Sequence, residues 1–496
     1  MSEKSETLSL EKVEQSLGLD EAFNPSRFVT NSSSTRRKGQ KSLSVARERS
    51  FEQICKAIRD ELNDELASDK GLNIERQHDA VIGDKTAMGY YISKISEALR
   101  KLNITTDDYP DYFSSLAEAI FHNVWGVGLL HKWESYPESE AAVIRGQELW
   151  IDINGKMQIQ PERFPSKEEV ERIRRTFTNR IADAVINEQN PELEIEREDG
   201  TRITMLQPKR SKENYIMFRR FIVKNFSLEK QASLGTIPSE DIGIYSALSK
   251  VLCNIIIAGR VRSAKSTFMK TLIKEREDSY IAAAMEKHFE LNLTESFPDR
   301  LIFEIQAKEG DLHKAVPRLL RMEHDYIVVG EIRGIEAEAY LQSTERGERG
   351  ALSTYHLTDV ENVVPQITRH ILDEFPSRKF DTELERVARN IDIIITTTSD
   401  RDRRKKRVLG VTEIIWDESE RKVVTNDLIR YSTVTDSYYY SSNISKKLQR
   451  LMADQNQEET ERLLKLLKQR ERQHPMHEYH SNLDKYLDEM TGGLNE

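Results

Sequence analysis

Nine residues, Gly259-Arg260-Val261-Arg262-Ser263-Ala264-Lys265-Ser266-Thr267, constrain the fold of this chain more than any other stretch. They fit the phosphate-loop pattern G-x-x-x-x-G-K-[ST] except at one position, where Ala264 stands for the second glycine. The preceding run, Val251-Leu252-Cys253-Asn254-Ile255-Ile256-Ile257-Ala258, is mostly apolar and rich in branched side chains. The following run, Phe268-Met269-Lys270-Thr271-Leu272-Ile273-Lys274, has no Gly or Pro and suits a helix. A strand, a tight loop and a helix N-terminus gather unpaired N–H groups and the positive end of a helix dipole at one place, which is an anion site. Lys265 adds a charge toward the outer phosphates, and Ser266 a hydroxyl for Mg²⁺. Should position 264 need a left-handed backbone, its Cβ costs about 1–2 kcal/mol, which is roughly tenfold in nucleotide affinity.

Short apolar strands alternate with helical segments on both sides of this loop. They fall near Ile255–Ala258, Tyr280–Met285, Leu301–Phe303, Tyr326–Val329, Ala351–Thr354 and Ile391–Thr396. Such alternation predicts an α/β sheet with helices on its faces. Before it, the strand-like runs 141–145, 148–153 and 157–160, with Asn154-Gly155 as a hairpin turn, predict an α+β domain. A capped helix is expected from Ser166 to about Glu188, followed by strands at 193–195, 202–206 and 215–218 with a turn at Asp199-Gly200. The expected organisation is a flexible arm over 1–45, a helical extension of two helices over 46–110, an α+β domain over 111–222 and a charged linker over 223–241. A phosphate-loop domain over 242–435 and a tail over 436–496 with one polar helix from Ile444 to Glu471 complete it. One short helix is expected within the arm, near Leu10 to Leu19.

A chain of 496 residues has length for several cores. A net charge of −10 argues against a general nucleic-acid binder. The basic run Arg401-Asp402-Arg403-Arg404-Lys405-Lys406-Arg407 sits between strand-like segments and reads as a solvated hairpin tip. Cys55 and Cys253 make no disulfide framework, the first residues have no apolar core, and no stretch approaches the length of a membrane span. A cytoplasmic protein is expected, reaching a membrane only through partners.

The strand Tyr326-Ile327-Val328-Val329-Gly330-Glu331 ends in a carboxylate, the position from which an acid serves Mg²⁺ or an attacking water beside a phosphate loop. With its flanks, Leu320-Arg321-Met322-Glu323-His324-Asp325 before and Ile332-Arg333-Gly334 after, it resembles the Walker B signature of the secretion-superfamily ATPases of type II secretion, type IV secretion and Tad-type pilus assembly, nearest the VirB11/CpaF branch. His324 replaces the proline usual there. Gly350-Ala351-Leu352-Ser353-Thr354-Tyr355-His356 is similar to that family's His box, and Met285-Glu286-Lys287-His288-Phe289-Glu290-Leu291 to its Asp box, with Lys287 in place of the aspartate. Upstream, 125–129, 199–202 and 218–221 resemble its G-x-G-P-L, D-G-S-R and I-R-[RK]-F segments. Arg260 and Arg262 stand where Gly and Thr are more usual, and Glu348 where a histidine is.

The resemblance implies a PAS-like N-terminal domain, a RecA-like ATPase domain, ATP and Mg²⁺ as ligands, a hexamer and a membrane platform protein as partner. Carried over residue by residue, it gives Glu286 the polarisation of the attacking water. Glu331 and Ser266 support the metal, and Arg333 and His356 sense the outer phosphate. Residues Gly259 to Thr267 cradle the nucleotide, with Arg202, Arg219 and Arg220 reaching it from the N-terminal domain. The work would be protein secretion, pilus assembly or conjugative transfer. The alternative is a degenerate, weakly binding scaffold subunit; a motor acting directly on DNA fits the acidic balance less well.

Overall fold

The computed structural model describes residues 50–67, 70–82, 84–178, 186–196, 201–220, 222, 225–287, 289–307, 312–347, 349–399 and 405–492. The arm with its basic cluster and short helix, the Asp199-Gly200 turn, Glu348 and the tip at 401–404 lie outside them.

Three helices, not two, occupy the N-terminal extension: Phe51–Ala67, Lys70–Ile82 and Lys85–Lys101. The last starts at Asp84, whose carboxylate accepts from the Ala87 N–H at 2.6 Å and satisfies a donor the helix leaves open. Ile54, Ile58 and Leu62 from the first helix and Tyr91, Ile95 and Leu99 from the third are buried. They share one core with the inner face of an antiparallel sheet.

That sheet has strands β1 (Ala141–Arg145), β2 (Glu148–Ile153), β3 (Lys156–Arg163), β4 (Glu192–Glu196), β5 (Arg202–Leu206) and β6 (Tyr215–Arg219), in the order β3-β2-β1-β6-β5-β4. Asn154 and Gly155 have φ of 56° and 80°, the two left-handed residues that a type I′ hairpin between β2 and β3 requires. Strand alternation sorts the faces. Ile144, Leu149, Ile151, Ile203, Met205, Ile216 and Phe218 point into the helical core. On the opposite face Arg202 pairs in register with Arg219, and Arg219 with Ala141, so two arginines stand side by side at one end of the sheet. The helix opened by Ser166 covers Lys167–Thr178, and residues 186–190 are not helical, so it stops short of the expected Glu188.

The second sheet has nine strands: β7 (Ile255–Gly259), β8 (Ala282–Glu286), β9 (Ile302–Gln306), β10 (Tyr326–Ile332), β11 (Leu352–Tyr355), β12 (Ile393–Ser399), β13 (Lys406–Asp417), β14 (Lys422–Ser432) and β15 (Ser437–Tyr440). Their order is β15-β14-β13-β12-β7-β11-β10-β8-β9. The pairs among β12, β7, β11, β10, β8 and β9 are parallel, and β13 to β15 extend the sheet antiparallel. Both faces are covered, as a parallel sheet demands: Ile255 and Ile257 join one core, Ile256 and Ala258 the other. This α/β architecture, after an antiparallel α+β unit, is the expected fold class.

Two connecting regions are more structured than their polarity suggests. The segment read as a linker contains the helix Leu228–Ser233, and Leu228 and Ile237 enter the core. After residue 436, β15 closes the edge of the nine-stranded sheet. The single polar helix expected next is two, Lys446–Gln455 and Gln457–Gln473, broken at Asn456, whose side chain caps the second by accepting from Glu459 N–H at 3.0 Å. A further helix spans Met476–Gly492. Leu448, Met452, Leu463 and Leu467 are buried in the sheet's core. No helix among the described residues is long and apolar enough to cross a membrane.

The C-terminal helices are pinned by a buried acid. Asp241 is fully buried and accepts from Arg470 Nε at 2.9 Å and from the Tyr440 hydroxyl at 2.7 Å. Removing the guanidinium strands a buried carboxylate, so Arg470→Ala is expected to cost about 3–5 kcal/mol, read as an earlier urea midpoint. Adding Asp241→Asn should recover part of that loss, because no charge is then left alone.

Candidate functional site

Parallel register brings three strand ends together. Gly259 of β7 lies opposite Thr397 of β12, Ala258 opposite Tyr355 of β11, and Tyr355 opposite Ile332 of β10. The loop after β7, His356 after β11 and Glu331 near the end of β10 therefore meet at the carboxyl edge of the sheet, where open α/β folds bind ligands. Gly259 has no room for a side chain: a Cβ would lie 2.5 Å from the Thr397 carbonyl and 2.6 Å from Ser263 Oγ. Ser263 Oγ is 2.8 Å from Thr397 Oγ1, tying the loop to the neighbouring strand.

Ala264 has φ 65° and ψ 25° and immediately precedes the helix Lys265–Glu275. The backbone is left-handed at the position where glycine is usual, so the Cβ carries the strain. Arg262 is also left-handed, with φ 64°. Lys265 Nζ donates to the carbonyls of Gly259 at 3.1 Å and Arg260 at 3.0 Å, and lies 3.2 Å from His356 Nδ1. An ammonium only donates, so Nδ1 accepts and the imidazole proton sits on Nε2, facing Glu331 Oε1 at 2.5 Å. Burial, opposed by the charge of Glu331, lowers the Lys265 ammonium to about 8.

Glu331 also holds Arg333, with Nε to Oε2 at 2.8 Å. Burial alone would raise its carboxyl, but hydrogen bonds and charge from His356 and Arg333 override that and hold it at about 2.

The antiparallel sheet supplies the facing wall. A cleft of about 470 Å³ is lined by Val261 to Thr267, Glu331, Arg333, Thr354 and His356 from one side and by Arg202, Arg219, Arg220, Asp152 and Glu140 from the other. Ion pairs among the described residues cross it. Arg202 meets Glu290, Lys406 meets Glu140, and Arg262 Nη1 lies 3.3 Å from Asp152 Oδ2. The three arginines expected here behave differently. Arg202 is engaged with Glu290. Arg220 stacks 4.2 Å over Trp133 and donates to the Ser139 carbonyl at 3.0 Å and to Glu134 at 2.9 Å, so it braces its own domain. Arg219 lines the cleft near the carboxylates of Glu140 and Glu194. Burial, with Arg262 and Arg202 nearby, lowers its guanidinium from its ordinary value. Glu140 and Glu194 act in the opposite sense without cancelling it, and a half-buried guanidinium on the cleft wall can receive an anion.

Glu286 is placed otherwise than expected. It ends β8 with its carboxylate turned to the Leu291 N–H at 3.0 Å, packed where a Cβ on Gly330 would lie 2.7 Å from its Cγ. It does not line the cleft, whereas Glu290 does. Gly259 and Arg260 contribute carbonyls to Lys265 rather than cleft surface. Asp152 and Glu140 are not singled out in the sequence, and Thr354 and Lys406 are noted there without a place in the cleft. Only the alternation of β2, which puts Asp152 on the face opposite Leu149 and Ile151, offered a signal for one of them. The donor set suits a magnesium nucleotide: the Ser266 hydroxyl and the Glu331 carboxylate lie in the cleft, with Lys265 and Arg219 for phosphate oxygens.

A family model described as "Type II/IV secretion system protein" matches residues 152–427, more than half of the chain. An uncharacterized protein of Methanocaldococcus jannaschii, MJ1287, is 25% identical over 217 residues, 42% of this chain and 76% of that protein. Among solved structures, the VirB11 ATPase of the Brucella suis type IV secretion system is 17% identical with a TM-score of 0.32, covering 59% of this chain and 93% of its own. The Legionella pneumophila ATPase DotB is 15% identical with a TM-score of 0.42, covering 73% and 90%. The pilus retraction motor PilT with bound ADP is 17% identical with a TM-score of 0.40, covering 69% and 93%.

Two outcomes follow from the geometry. Ala264→Gly removes the Cβ from a left-handed residue and is expected to stabilise the folded loop by about 1 kcal/mol, seen as a higher thermal midpoint. The pH profile follows from Lys265, protonated in the fold below about 8 and in the unfolded chain up to the ordinary lysine value of 10.5. Between those values the unfolded chain binds more protons, so this group's contribution to stability rises with pH. Tripolyphosphate affinity, which needs the charge, is expected to fall over the same window in a calorimetric titration.

Proposed function

This chain belongs to the type II/IV secretion system protein family, and on that premise we propose that it is a Mg²⁺-dependent ATPase whose turnover drives the movement of its two sheets against each other. The observation that supports this most directly is the convergence of Lys265, Glu331, Arg333 and His356 with Arg219 around one cleft between the sheets. Lys265 and the loop from Gly259 to Thr267 hold the phosphates, and Ser266 and Glu331 support the metal. Arg219 takes the unmet phosphate charge from the facing wall, and Arg202 exchanges Glu290 for phosphate as the cleft engages. His356, hydrogen-bonded to Lys265 and in contact with Glu331, is placed to report the outer phosphate, with Arg333 beside it. Of the acids lining the cleft, Glu290 and Glu331 are those on the phosphate-loop side, and water polarisation falls to them unless the β8 end turns Glu286 inward. Bound ATP supplies the phosphoryl group; the residues position, neutralise and exclude water.

The coupled work is transport or assembly at a membrane machine, through a platform protein on the cytoplasmic face and in a ring of identical subunits, hexameric as the resemblance implies. One feature favours a weaker, scaffold-like reading: Lys265 already satisfies its donors on two loop carbonyls and His356, and the loop is strained at Arg262 and Ala264. Steady-state hydrolysis separates the two. Lys265→Ala and Glu331→Gln are each expected to lower turnover by about 100-fold or more, and Arg219→Gln to raise KM more than it lowers kcat. Turnover unaffected by the first two substitutions overturns the ATPase reading, and nucleotide binding without turnover in the unmodified chain establishes the scaffold.

A further inference from the structure

We propose that Glu118, His122 and His131, none of which lines the cleft, form a binding site for a divalent transition-metal ion, Zn²⁺ in the first place. Glu118 and His122 lie four residues apart on the helix Leu116–Val124, hence on one face of it, and His131 comes from the 3-10 helix Gly128–Ser135. One ligand atom from each of the three lies within 4.8 Å of the others. Donors on a single Zn²⁺, each about 2.0–2.2 Å from it, sit somewhat closer than that, so a modest swing of the partly exposed His131 and Glu118 closes the site. His131 Nε2 and Glu118 Oε1 are already 3.7 Å apart.

His122 supplies an independent reason. Its residue is only 5% exposed, yet neither ring nitrogen has a hydrogen-bond partner among the described residues. An imidazole needs at least one donor and one acceptor satisfied, and leaving both nitrogens bare in the interior is costly. Its ring lies 4.1 Å from that of His131, stacks at 5.8 Å on Phe113 and meets Phe121 edge-on at 5.0 Å. Aromatic walls therefore leave the His131 and Glu118 side as the polar direction.

Arg172 would repel a cation, but it is committed to Glu169 at 2.6 Å and to the Gly126 carbonyl at 2.7 Å. Glu118 is oriented like a ligand with outer support: Ser114 donates to its Oε2 from both N–H and hydroxyl at 2.6 Å, leaving Oε1 for the ion. Two imidazoles and one carboxylate suit Zn²⁺ or its borderline neighbours and not Mg²⁺ or Ca²⁺, which take oxygen ligands. Such an ion would join the helix to the 3-10 segment carrying Trp133 and Glu134, against which Arg220 packs.

The test uses the full chain, stripped with EDTA and titrated with Co²⁺ and then Zn²⁺. One equivalent of Co²⁺ giving visible ligand-field absorption, displaced by Zn²⁺ and accompanied by a higher thermal midpoint, is expected. His131→Gln should weaken uptake by at least about 10-fold while melting like the metal-free parent. Glu118→Gln, which keeps a residue suited to the helix cap, is the second variant should the first fail to fold. No stoichiometric uptake, which leaves His122 to a buried water, overturns the site. So does uptake that neither substitution weakens. Metal content is read without nucleotide, so the inference stands or falls apart from ATP hydrolysis.

Discussion

The strand β7, buried at all five positions between β12 and β11, is the constraint to which the rest of the cleft is referred. A parallel ladder fixes not only which strands touch but how far each extends past its neighbour. Once Ile255 to Gly259 are buried on both faces, a shift by one residue would exchange the two cores, which share none of their side chains. The same register that protects the cores therefore sets the heights of Ser263, His356 and Glu331. The chemistry of the cleft is a by-product of packing on the far side of the sheet.

Within that frame the loop carries both strain and charge. Two residues with Cβ atoms, Arg262 and Ala264, hold left-handed backbone that glycine would adopt freely. The surroundings over-determine them: Arg262 is anchored through its side chain to Asp152, and the helix N-terminus begins at Lys265. The shape of the phosphate loop thus survives the loss of a glycine. What changes is its energy.

The sequence was readable where structure is local. The strand, loop and helix around Lys265, the Asn154-Gly155 hairpin and the carboxylate at the end of β10 all follow from spacing and turn chemistry. It was less readable where a side chain chooses between partners. Glu286 and Glu290 are acids four residues apart at and just beyond the end of β8, and nothing in the pattern says that the Leu291 N–H takes the first and Arg202 the second. Alternation put Arg202 and Arg219 on one face, yet only the folded cleft shows Arg220 spent on Trp133 and Glu134. The tail reads as one polar helix, but Ser437–Tyr440 forms an edge strand before it and Asn456 breaks the seemingly continuous helix into two.

The ion pairs that span the cleft bear on how any polyanion would be received. Arg202 with Glu290, Arg262 with Asp152 and Lys406 with Glu140 already neutralise one wall with the other. An incoming phosphate therefore competes with carboxylates for cations instead of meeting bare charge. Each arginine it captures releases an acid into the same small volume, where that acid repels the newcomer unless a cation arrives with it. A divalent counter-ion entering with the phosphates would thus be needed to compensate the protein's own displaced acids as well as the ligand's charge. Dissolved salt, by loosening the exposed parts of these pairs, would ease the separation of the two walls.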